Sequence, residues 1–172
     1  MWVFDATPLI YLAKVDRLAL VQHLNEPCVI PERVYEEVVT AGIEAGYPDA
    51  RRIEQRVETT LFDIESVETT PLLSQLQSNP NLSEADAAVL TCADAHDGVA
   101  VMDETYGRDV AAIEGITTRG TAFLILKFAQ SNAISVDEAR TVIDAMIDEG
   151  WYCAPDVYTK ILRKLDSFSE QE

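Results

Sequence analysis

Four acidic residues stand where an apolar run gives way to a helical pattern. Asp5 ends Trp2-Val3-Phe4, and Glu37 lies on the helical stretch after Val29-Ile30-Pro31. Asp86 falls in the first turn of the helix opened by Ser83, and Asp103 ends Val99-Ala100-Val101-Met102. Side chains of this type suit a hard divalent cation, which prefers oxygen ligands, keeps several waters and takes one or two carboxylates directly. Such an ion lowers the pKa of bound water and neutralises charge developing on a phosphate, the chemistry of phosphodiester cleavage. Without a cation the carboxylates repel one another and some hold protons. The four are far apart in sequence, but adjacent strand tips of a parallel sheet lie only about 4.8 Å apart. Thr7 offers a hydroxyl to orient Asp5 or a bound water, and Glu84 and Asp109 are outer members of the set. No serine, cysteine or histidine triad is legible beside them.

Each position also has a plainer reading. Asp5 can cap the helix that follows it. Glu36 and Glu37 can be solvated helix charges, and Asp86 can serve only as the reciprocal partner of Ser83 in a capping box. Asp103 and Glu104 can be the polar end of a strand. Recurrence at successive element junctions favours a shared role, although 30 acidic residues make some coincidence expected.

The elements that must position these residues follow from apolar periodicity and breakers. Strands are expected at 2–5, 27–31, about 61–64, 99–102 and 116–118. Helices are expected from Thr7 to about Val15, near Leu18–Leu24, from Pro31 to a break at Gly42–Tyr47, and from Pro48 to about Glu58. Others follow at about Pro71–Gln77, from Ser83 to near His96, and from Gly107 to about Ile113. Three more, at about 121–130, 136–149 and 155–165, finish the chain. Alternation of strands and helices implies a parallel sheet of four to five strands with helices on both faces, an α/β/α sandwich. The last helices read as an addition, giving a core over 1–130 and a helical extension over 131–172 packed on the same domain. On the helix 48–58, Ile53 and Val57 point inward. Arg51, Arg52 and Arg56 point outward, to grip RNA or an acidic partner or to offset local charge.

A chain of 172 residues, 48% hydrophobic, fits one domain with a sizeable core. No apolar run reaches the roughly 18–20 residues that span a bilayer. Met1-Trp2-Val3 carries no basic leader, so no signal peptide is expected and the cytoplasm is the expected location. Cys28, Cys92 and Cys153 are odd in number and scattered, which suits free thiols in a reducing compartment. With only His23 and His96, no Cys/His zinc spacing exists and a soft-metal site is not expected. The charge balance is extreme, 30 acidic against 13 basic residues, for a formal net charge of −17. Excess acid with little lysine suits solubility in concentrated salt, and a halophilic host is expected. At about 1 M salt the Debye length is about 3 Å, so the global charge neither favours nor forbids a nucleic-acid partner.

Taken together, Val3-Phe4-Asp5-Ala6-Thr7-Pro8-Leu9-Ile10, Val29-Ile30-Pro31-Glu32-Arg33-Val34-Tyr35-Glu36-Glu37-Val38, Leu82-Ser83-Glu84-Ala85-Asp86-Ala87 and Val101-Met102-Asp103-Glu104 with Gly107-Arg108 resemble the PIN domain, the metal-dependent ribonuclease fold of VapC-type toxins. The order fits over about residues 1–130. Gly120-Thr121 followed by helices resembles a branch with a longer tail. The resemblance implies that Asp5, Glu37, Asp86 and Asp103 are metal-binding and catalytic carboxylates. Glu84 shares or replaces the role of Asp86, Glu104 competes with Asp103, and Asp109 is an outer ligand. It further implies Mg²⁺ or Mn²⁺ as cofactor, one or two ions that activate water to hydrolyse RNA, and Arg108 as a phosphate contact unless it only pairs with a neighbouring carboxylate. Partners implied are an RNA substrate, a cognate antitoxin covering the acidic crevice, and a second copy in a homodimer. A PIN fold that binds without cutting is the competing class. A haloacid-dehalogenase-type phosphatase would need an acid where Thr7 stands, and the acidic pair and lysine of a receiver domain are not found.

Overall fold

Five short parallel strands carry the molecule: β1 (Trp2–Phe4), β2 (Cys28–Pro31), β3 (Asp63–Glu65), β4 (Val99–Val101) and β5 (Thr117–Arg119). Their order across the sheet is β3-β2-β1-β4-β5. The computed structural model describes residues 1–169, so the last three residues of the 131–172 extension lie outside the described residues. From β1 the chain steps outward through β2 to β3, then returns to the other side of β1 for β4 and β5. The order therefore reverses beside β1, and open parallel sheets place ligands outside the strand ends at such a point.

Around the sheet lie α1 (Ala6–Lys14), α2 (Glu32–Tyr35), α3 (Ala41–Glu44), α4 (Pro48–Glu58), α5 (Pro71–Gln77), α6 (Glu84–Ala95), α7 (Thr105–Ile113), α8 (Thr121–Gln130), α9 (Val136–Asp148) and α10 (Pro155–Ser169), with a 3-10 turn at Leu18–Leu24. Apolar strand residues such as Val3, Phe4, Ile30, Ala100 and Val101 are fully buried, as two-sided covering of a parallel sheet requires. α6 crosses β1, β2 and β4. Ala87, Val89, Leu90, Cys92 and Ala93 on that helix are all buried, and small residues let it approach the sheet closely. The C-terminal helices do not form a second core: Phe128, Ile143, Met146, Ile161 and Leu165 belong to the same hydrophobic cluster as Phe4 and Leu90.

Two elements differ from the sequence expectation. The helix after Pro31 is not a uniform α-helix but α2 and α3 joined by a π-helical turn over Glu36–Thr40. Its apolar stripe of Val34, Val38 and Val39 is buried as expected, and π turns inside helices frequently sit at functional sites. Gly42, just past that turn, lies so close to α4 that a Cβ there would meet the Ala50 Cβ at 2.8 Å. Strand β3 begins at Asp63 rather than Leu61.

The arginines of α4 have local partners. Arg52 donates from Nη1 to the carbonyls of Ala13 (2.7 Å) and Lys14 (3.2 Å), closing the C-terminal end of α1. Arg51 pairs with Glu54 at 3.0 Å. Other pairs, such as Arg17 with Glu138 and Arg140 with Asp166, are also at the surface. Pairs of this kind contribute little individually and leave most of the acidic excess unmatched. Screening should therefore stabilise the fold. Raising salt from about 0.1 M to about 1 M, which shortens the Debye length from about 10 to about 3 Å, is expected to raise the urea midpoint of unfolding; a midpoint indifferent to salt contradicts a stability limited by surface charge.

Candidate active site

Register alone brings two of the four acids to one rim. Phe4 pairs with Val101 across β1 and β4, so Asp5 and Asp103 leave neighbouring strand tips on either side of the reversal. The Asp5 amide donates to the Val101 carbonyl at 3.0 Å, extending the ladder by one step. Asp5 occupies the N-cap position of α1, yet its side chain makes no capping bond. The reading of Asp5 as a plain helix cap therefore fails, and the residue is only 6% exposed.

Asp103 is fixed by the helices that follow it. Its Oδ1 accepts from the Thr121 amide at 2.7 Å. Its Oδ2 accepts from the Thr121 hydroxyl at 2.7 Å and from the Trp151 indole N–H at 3.1 Å. A carboxylate offers about four lone-pair positions, so three of them are occupied and one direction stays open. Gly120 permits this closeness, since a Cβ there would stand 3.0 Å from Asp103 Oδ1 and 3.4 Å from Arg108 Nη1. Thr121 is fully buried and Trp151 nearly so. Neither was evident in the sequence as a site residue, although Gly120-Thr121 stands at a strand–helix junction like those that carry the acids.

Asp86 has two duties. The Ser83 hydroxyl accepts from the Asp86 amide, and Asp86 Oδ2 accepts from the Ser83 amide, each at 3.0 Å. The capping box is real and engages one carboxyl oxygen. Glu37 lies exposed on the π turn. Glu84 is drawn aside into an ion pair with Arg33, which also holds Glu36 at 3.1 Å. Asp109 is exposed on α7, and Glu104 is exposed at its N-cap.

The electrostatics link four of these groups. Burial pushes the Asp5 carboxyl from 3.8 up to about 7, and the charges of Asp86, Glu37 and Asp103 push the same way against one favourable backbone contact at Ala6. Among the described residues, none of the four carboxylates has a lysine or arginine within 4.0 Å. They are neighbours rather than a closed cage, since among the described residues no three of their oxygens lie within 4.8 Å of one another. An all-oxygen set of this kind, with its most buried member protonated near neutrality, has the donor chemistry of a hard divalent cation.

Beside Asp103 lie two hollows that share Asp103, Trp151 and Tyr152. One, of about 490 Å³, is lined by Thr7, Tyr11, Asp103, Glu104, Trp151 and Tyr152. The second, of about 610 Å³, is lined by Asp103, Arg108, Arg119, Phe123, Trp151 and Tyr152 among others. Thr7 and Arg108 thus both border the crevice through Asp103. The loop between α9 and α10 is tied to α1, as the Tyr11 hydroxyl donates to the Gly150 carbonyl at 3.2 Å. The extension therefore forms one wall of the site.

A family model described as DUF3368: PIN domain matches residues 1–167. The chain belongs to the PIN-domain family. None of the curated proteins matches it. Among solved structures it is similar to a PilT N-terminus domain protein from the hyperthermophilic archaeon Sulfolobus solfataricus P2, with a TM-score of 0.50 and 12% identity over 72% of this chain and 90% of that one. It also matches a domain of a functionally unknown protein from Methanocaldococcus jannaschii DSM 2661, with a TM-score of 0.45 and 14% identity over 69% and 89% of the two chains. At these identities the first likeness speaks for the fold alone. PIN membership supplies a nuclease-type fold, and in this chain Asp5 and Asp103 stand at the strand ends where the sheet order reverses.

Protonation of Asp5 ties stability to pH in this PIN domain. The unfolded chain ionises Asp5 near 3.8, whereas the native state keeps the proton until about 7. Between those values the native state binds more protons, so this group lowers stability as pH rises through the window, and the full penalty is present above it. In chelator at pH 8, Asp5→Asn is expected to be more stable than wild type by about 2–4 kcal/mol, and near pH 4 the two should nearly coincide. Urea unfolding at the two pH values checks this, and a wild type equal to Asp5→Asn at pH 8 contradicts it.

Proposed function

We propose that the protein is a metal-dependent endoribonuclease, the toxin of a toxin–antitoxin pair, working in a salt-rich cytoplasm. The observation that carries the reading is the Asp5 carboxyl, its pKa raised by burial and by the charges of Asp86, Glu37 and Asp103, with no lysine or arginine within 4.0 Å of any of the four among the described residues. Those four residues would hold Mg²⁺ or Mn²⁺. When bound, the cation supplies charge neutralisation at the phosphate and activation of water.

The protein's own groups do the rest. Thr121 and Trp151 orient Asp103, and Ser83 orients Asp86, so both carboxylates meet the cation without searching rotamers. Thr7 borders the crevice with a hydroxyl. Arg108 and Arg119, in the larger hollow, offer guanidinium groups to phosphate. Arg119 lies over the Phe123 ring at 5.0 Å, and Tyr152 is 84% exposed beside it. Aromatic faces interleaved with cations suit the stacked bases of a single strand. A thiol nucleophile is not on offer, since burial pushes Cys28 up to about 12 and raises Cys153 as well. An antitoxin arginine placed among the four acids would supply the cation this chain withholds. Exposed Ile113 and Val157 are available to a second copy.

Purified protein in high salt, offered single-stranded and structured RNA with Mg²⁺ or Mn²⁺, is expected to cut the single strand and to lose cutting in chelator or as Asp5→Asn. Thr121→Val, which removes one anchor of Asp103, should lower the rate about 10–100-fold. Cutting that survives both chelator and Asp5→Asn refutes the assignment. Absence of cutting with retained binding of a partner protein points to the non-catalytic PIN class.

A further inference from the structure

Away from the acidic crevice, Glu65, Cys92 and His96 place one ligand atom each within 4.8 Å of the other two. Glu65 ends the edge strand β3, while Cys92 lies in the last turn of α6 and His96 is its C-cap. The four-residue spacing puts Cys92 and His96 on one face of the helix. His96 Nε2 and Glu65 Oε1 are 2.5 Å apart. The three line a cavity of about 300 Å³ together with Ser66, Thr70 and Thr91. Thr91 is only 3% exposed, and its hydroxyl has no hydrogen-bond partner. Buried polar atoms are nearly always satisfied, yet a residue with an orphaned hydroxyl lines the same cavity as three ligand-type side chains.

We infer that Glu65, Cys92 and His96 form a zinc site independent of the nuclease crevice. A thiolate, an imidazole and a carboxylate together select a borderline-soft, tetrahedral ion and disfavour Mg²⁺. With bonds of about 2.0–2.3 Å, donors around such an ion stand roughly 3.3–3.7 Å apart. His96 Nε2 and Glu65 Oε1 stand closer than that and all three donors lie within 4.8 Å, so an ion would have to part the imidazole and the carboxylate by about 1 Å. The fourth position is left to water or another ligand from the cavity. A His96–Glu65 ion pair alone leaves the Thr91 hydroxyl unpaired. A redox-sensing thiol is no better an explanation, because burial, with Glu65 beside it, pushes Cys92 up to about 12. A cation removes that proton outright by coordination. The site would clamp the exposed edge of the sheet to the helix whose other end bears Asp86. Scattered spacing hid the cluster in the sequence, where a soft-metal site was not expected.

Metal-free full-length protein titrated with Zn²⁺ alone is expected to rise in melting temperature at one equivalent. Co²⁺ in its place should give a thiolate-to-cobalt charge-transfer band and the visible spectrum of a tetrahedral ion. His96→Ala, at an exposed position where misfolding is not a concern, should weaken Zn²⁺ binding at least about tenfold. Cys92→Ala should remove the charge-transfer band, and Asp5→Asn should leave both metal readouts intact. Absence of the band in wild type, its persistence in Cys92→Ala, or binding that survives His96→Ala and disappears in Asp5→Asn overturns the site. Ribonuclease activity plays no part in these readouts, so the two assignments stand or fall separately.

Discussion

Water hardly reaches the carboxyl group at the end of the central strand, and the charges of three further carboxylates act against its ionisation. A protein gains nothing in stability from such an arrangement, because the charged form has lost its solvation and meets only like charge. The surrounding fold must hold the group in place against that repulsion. It does so with a sheet whose apolar strands are sealed on both faces and with a helix, α6, packed across its centre. Strain tolerated at one rim is bought by burial everywhere else, which is how functional sites commonly persist.

Around Asp5 the other acids are positioned by contacts that also build the fold. Asp86 starts a helix through its exchange with Ser83, and Asp103 receives the N-terminus of α8. Structural and site roles are thus not alternatives for these residues. Each spends some lone pairs on the backbone and keeps others turned outward, which fixes its rotamer before any ligand arrives. Glu37 differs: it stands exposed on a π turn, the least constrained of the set.

The strand tips bearing Asp5 and Asp103 were legible in the sequence because each lies where a short apolar run meets a helix start, a local pattern. Strand β3 shifted by two residues since Leu61 and Phe62 are apolar without joining the ladder. The anchors of Asp103 were not legible, as nothing near position 103 points to Thr121 or Trp151. Arg52 looked like a surface cation because its carbonyl partners lie in α1, close only after folding. Glu65, Cys92 and His96 escaped for the same reason, one being on the edge strand and two at a helix end. Local periodicity reads elements well and long-range polar pairing poorly.

The indole N–H that steadies Asp103 arrives from 48 residues further along the chain, beyond three helices. A boundary drawn after the sheet would leave the strands whole yet strip Asp103 of one hydrogen-bond partner. The tail is consequently no detachable ornament. Shuffling this core onto a different C-terminal segment, in evolution or in the laboratory, would have to reinvent Trp151 or surrender the alignment of the crevice.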